Sequence, residues 1–146
     1  MTDTNYDTDF YAWTQAQAAL LRAKDWTQVD WGHLIEEIES LGDQYRHALQ
    51  SHLRVLLWHL LKHRYQPARR TPSWRRSVIN ARQEIEAILE RNPSLRGALP
   101  KALAWAYSRA RRAANQETGR PLATYPETCP WPLDQVLDED FWPPEA

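Results

Sequence analysis

The residues best suited to chemistry are histidines: five occur, all between His33 and His63. At 100° per residue, His52, His59 and His63 fall within about 40° of one another on one helix face. His59 and His63 stand four apart, the spacing at which two imidazoles of one helix reach one metal ion. His52 lies about 10 Å further along the axis and does not join them. A zinc or iron centre also needs a ligand from a second helix. Glu84 and Glu86 are the donors on offer, and Glu37 is too far along the helix. The competing role is structural, because histidines on an apolar stripe hydrogen-bond to buried groups and specify packing. That role is the expectation. No metal or other cofactor is expected, with His59 and His63 as the one candidate pair.

Acids and arginines form two further constellations. In Glu36-Glu37-Ile38-Glu39 the carboxylates diverge. Glu36 and Glu39 point to the polar side, where the helix dipole and solubility explain them. Glu37 borders the apolar stripe, and a contact with Arg82 or another helix arginine would explain it. The stretch 64–76 interleaves Arg64, Arg69, Arg70, Arg75 and Arg76 with Tyr65 and Trp74. Such a loop grips phosphates and stacks bases, and the helix start after it adds an anion site. Arg69, Arg70, Arg75 and Arg76 are therefore the candidate anion-binding residues. The simpler reading, and the favoured one, is a solvated loop paired with acidic segments elsewhere. Arg109, Arg111 and Arg112 are accounted for by the dipole of the helix end they occupy. Cys129 has no base near it in sequence and is expected to be half-buried and inert.

Nucleotide-binding glycine loops, a serine-nucleophile elbow and the paired-histidine zinc motif are all missing from the sequence. The single cysteine rules out an internal disulfide and suits a reducing compartment. The N-terminus is acidic and polar, unlike a signal peptide. The apolar run from Val55 to Leu61 is far too short to span a membrane. These features set the expectation of a cytoplasmic protein that does not enter membranes. Net charge is −1 but unevenly spread. Lys62 to Arg112 holds 13 Lys and Arg against 3 Asp and Glu, and the remainder holds 5 against 16. Nucleic-acid-binding domains are usually basic overall, so surface pairing of the two regions is the expectation.

The elements that position these residues read as helices. Thr8 or Asp9 caps a first helix to about Ala23, with Phe10, Trp13, Ala16 or Gln17, Leu20 and Leu21 on one face. Asp30 caps the central helix, which runs to Tyr65 and is stopped by Pro67. Its stripe is Leu34, Ile38, Leu41, Tyr45, Ala48 or Leu49, His52, Leu56 and Leu60. Gly42 is its weak point, and the unbroken phase of the stripe across it favours continuity. Ser73 is the candidate cap of a helix over 74–91, ended by Asn92-Pro93. Pro100 opens a helix to about Gln116 before Gly119. The proline-rich remainder holds one short helix near 132–137 and docks by Trp131 and Trp142. No alternating strand pattern appears. The fold expected is all-α: one helical domain over 1–146, an irregular bundle of about four main helices with short extra helices and an irregular Trp/Pro-rich C-terminal tail.

The segments DFYAWTQAQAALLR, LIEEIESLG, HLRVLLWHLLKHRYQP, SWRRSVINARQEIEAIL and YPETCPWPLDQVL, in this order and spacing, resemble a bacterial family known as domain-of-unknown-function family twenty-nine. The likeness spans roughly residues 6 to 143. It implies an all-helical fold and a bacterial cytosolic setting, and it carries no catalytic residue, cofactor or partner. The function expected is that of a small helical binding or interaction protein without catalysis and with an unknown protein partner. The alternatives are a metal-dependent helical-bundle enzyme using His59 and His63, and a nucleic-acid-associated protein using the arginine loop. An anionic ligand or nucleic acid is the less favoured partner.

Overall fold

A computed structural model of the chain describes residues 3–66 and 71–144. The described residues form helices and irregular segments, with no strand among them. Five α-helices follow in order: α1 (Phe10–Arg22), α2 (Trp31–Tyr65), α3 (Pro72–Arg91), α4 (Leu99–Thr118) and α5 (Leu133–Leu137). The all-helical class and the four long helices are thus as the periodicity indicates. No described helix is long and apolar enough to cross a membrane. The backbone gathers into two compact units, Met1–Gln44 and Tyr45–Ala146, and α2 belongs to both.

The first unit is ordered around Asp30. Asp9 caps α1, its carboxylate accepting from the Ala12 N–H at 3.0 Å. Trp13 and Gln17 turn inward from α1. The Trp13 indole N–H donates to Asp30 Oδ2 at 3.0 Å, and Gln17 Oε1 accepts the Asp30 N–H at 2.8 Å. The same carboxylate caps α2 through the His33 N–H at 3.4 Å and meets His33 Nδ1 at 2.7 Å. His33 in turn stacks on Tyr6, ring centroids 3.9 Å apart. The Tyr6 hydroxyl donates to Glu37, which raises the phenol pKa to about 12. Glu37 is therefore paired with a tyrosine. The expected partner Arg82 donates elsewhere, to the carbonyls of Val136 at 2.9 Å and Glu139 at 3.5 Å.

Helix α2 runs unbroken through Gly42 for 35 residues, about 52 Å at the helical rise. Its stripe departs from expectation. Ile38 and Leu41 are 60% and 58% exposed. In the second unit Leu49, Leu53, Leu56, Leu57, Leu60 and Leu61 are fully buried. They cover a sector of about 140°. That is wider than one stripe, so Leu53, Leu57 and Leu61 do not stand out by period.

The rest of the second unit closes on that leucine surface. Val78, Ala81, Ile85 and Leu89 of α3 join the core, as do Ala102, Ala106, Ala110 and Ala114 of α4. Alanines four apart on α4 let neighbouring side chains sit close to its backbone. Helix α3 starts earlier than expected: its cap is Thr71, accepting from the Trp74 N–H at 3.3 Å. Pro72 takes the first helical position, where a missing N–H costs nothing, and Ser73 is already inside the helix. Gly119, at φ 68°, ends α4 in the left-handed conformation.

The tail after α4 has four prolines between Arg120 and Leu133, and its own backbone pairs only locally, as in the Thr124 N–H to Pro121 O bond at 2.9 Å and the Tyr125 N–H to Leu122 O bond at 3.1 Å. Side chains from the helices also capture its carbonyls. Arg111 donates to Leu122 at 3.1 Å and to Tyr125 at 3.1 and 3.2 Å. The Tyr107 hydroxyl donates to Pro126 at 2.5 Å. Arg111 thus ties down the tail; the helix dipole alone does not account for it. Trp131 docks as expected and is buried, while Trp142 is half-buried.

Candidate functional site

Within the second unit, the end of α2, the start of α3 and Trp142 enclose a pocket of about 460 Å³. His59 and His63 come from α2, four residues apart and on the same side, so both line it. Thr71 is the N-cap of α3, and Pro72, Trp74, Arg75 and Val78 come from its first two turns. The tail supplies Trp142, whose ring lies 5.1 Å from that of His63. Arg75 stands with its guanidinium carbon 5.4 Å from the Trp142 ring, and Arg82 stands 5.7 Å from it. The Arg64 guanidinium donates to the Pro144 carbonyl at 3.3 Å, fixing the chain just beyond the tryptophan.

His59 is held neutral. Burial lowers its pKa to about 4, and the nearby Lys62 ammonium acts in the same direction. Its Nδ1 is buried and has no hydrogen-bond partner among the described residues. Lys62 is only 4% exposed. Its ammonium lies 4.2 Å from the Trp58 ring and 4.4 Å from the Trp74 ring, and 3.2 Å from Glu117 Oε2. Two indole faces and one carboxylate replace its water. In the sequence Lys62 simply follows the apolar run Val55 to Leu61. The available signal was Trp58, four residues earlier on the same helix face.

The other candidates separate. Arg76 is exposed and does not line the pocket, and Arg69 and Arg70 lie outside the described residues. Neither Glu84 nor Glu86 lines the histidine pocket. Glu86 lines a second pocket of about 450 Å³, with Arg82, Arg96 and Asp138 to Asp140. Among the described residues no group of three or more His, Cys, Asp or Glu could hold a metal ion. Cys129 is half-buried, its thiol pKa raised by burial, with Sγ 3.4 Å from the Trp131 carbonyl. A thiol held protonated is a poor nucleophile.

The chain belongs to the family described as Domain of unknown function DUF29, whose model matches residues 5–142. Comparison with curated proteins gave no match, and neither did comparison with solved structures.

Proposed function

We propose that the protein binds a small molecule carrying an anionic group on an apolar or aromatic body, in the pocket between α2, α3 and Trp142, and that it does so without catalysis. The observation that carries this reading is the charge of the lining. Arg75 is the one charged side chain among the described lining residues, and no carboxylate accompanies it. A guanidinium facing a pocket without a counter-charge suits a carboxylate or phosphate. The α3 N-terminus at Thr71 and Pro72 adds the positive end of a helix dipole. Trp74, Val78 and Trp142 offer an apolar wall, and neutral His59 offers a hydrogen bond without a charge. Size, apolar walls and few polar groups are the usual make-up of small-ligand pockets. The single cysteine supports a reducing setting, and we place the protein in a bacterial cytoplasm.

Calorimetric titration with phenyl phosphate and benzoate tests the reading. Saturable binding is expected, weakened about tenfold or more by Arg75→Ala, about 1.4 kcal/mol. Equal binding by the Arg75→Ala variant, or none at millimolar probe, contradicts it.

A further inference from the structure

Seven of the nine exposed large hydrophobic residues among those described fall in the first unit. Four of them, Trp31, Ile35, Ile38 and Leu41, lie on the first three turns of α2 and are 47–60% exposed. At 100° per residue, Trp31, Ile35 and Ile38 share a sector of about 60°, and Leu41 follows about 60° further round. They make an apolar stripe about 15 Å long that winds through about 120° of the helix surface. Trp26 extends it: its ring is 6.3 Å from that of Trp31, whose indole N–H donates to the Trp26 carbonyl at 3.0 Å. Isolated exposed apolar residues need no explanation, but a contiguous stripe with a tryptophan pair marks an interaction surface.

Charge says what covers it. The first 44 residues hold nine Asp and Glu against Arg22 and Lys24, a net −7. Glu39 borders the stripe next to Ile35, with Glu36 beyond it, and both are exposed. An anionic membrane surface is repelled by such a face. The second unit of another copy offers the right charge, but its exposed large hydrophobics among the described residues are Ile79 and Leu122 alone, too few to match the stripe. We propose that this face docks a Lys/Arg-rich amphipathic helix of a different protein. Apolar side chains at spacings of three and four lie along Trp31–Leu41, and the partner's basic flank faces Glu36 and Glu39.

The test titrates the whole chain into three labelled peptides and follows anisotropy. One is an amphipathic leucine–lysine helix, one its scrambled isomer, and one an amphipathic leucine–glutamate helix. The first alone is expected to bind, and Ile38→Asp or Leu41→Asp is expected to weaken it about tenfold or more. Both positions are exposed, and circular dichroism confirms that the variants fold. Each substitution adds negative charge, so attraction by charge alone predicts unchanged or tighter binding. That result, or equal binding of the scrambled peptide, overturns the proposal. So does self-association of the chain abolished by Ile38→Asp, which assigns the face to a second copy.

Discussion

Lys24 adopts φ 57°, the left-handed region, just after α1. The hydrogen bonds Lys24 N–H to Leu21 O at 3.1 Å and Asp25 N–H to Leu20 O at 3.0 Å close the helix there. This is the position that glycine usually fills, and a side chain there costs about 1–2 kcal/mol. Lys24→Gly is therefore expected to stabilise the protein by about 1 kcal/mol, read as a higher urea midpoint at unchanged slope. His59 carries the opposite sign. Its pKa falls from 6.5 to about 4 on folding, so between those values the unfolded chain binds the proton and the native chain does not. Stability is complete above the unfolded value and is lost as pH falls towards 4, by about 1–3 kcal/mol. Denaturation at about pH 7 and about pH 4.5 should show this loss, and the His59→Gln variant should lack it. The His33 pKa is raised by Asp30. Its contribution is present below the ordinary imidazole value and fades as pH rises through the folded one.

At the scale of elements, local signals and distant ones part company. Asp9, Asp30 and Gly119 are legible because caps act within one helical turn. The α3 cap is decided by Pro72. Thr71 and Ser73 both carry hydroxyls, but the proline belongs at the first helical position, which makes Thr71 the cap. The stripe of α2 is legible in type and misleading in extent: apolar period alone does not say that Ile38 and Leu41 stay exposed while Leu53 is sealed. The clamps made by Arg82 and Arg111 are invisible in sequence, since nothing local tells a guanidinium which distant carbonyl it will meet. The continuity of α2 yields a direct prediction. Gly42 is helical, and a Cβ added there meets nothing within 4 Å. Gly42→Ala should stabilise the protein by about 0.5–1 kcal/mol, measured by thermal or urea unfolding.

Over the whole molecule, buried apolar surface is unequally shared. The fully buried leucines of α2 and the buried faces of α3 and α4 all belong to the second unit. Among its described residues the first unit buries Trp13, Gln17 and Val29, a small core for 44 residues. Backbone amides of α1 are expected to exchange with solvent much faster than those of α2 between Leu53 and Leu61. Equal protection in hydrogen exchange would contradict that. The candidate site is legible in the sequence only in part. The pair His59 and His63 was visible from spacing, whereas Trp142 and Thr71 join them only through the tertiary fold.

Ligand binding in the pocket between α2, α3 and Trp142 is open to direct mapping. Nuclear magnetic resonance mapping of bound phenyl phosphate tests it most directly. Shifts are expected at the His59 ring, the Thr71 amide and the indoles of Trp74 and Trp142. Shifts confined to the second pocket, beside Arg82 and Arg96, would contradict it.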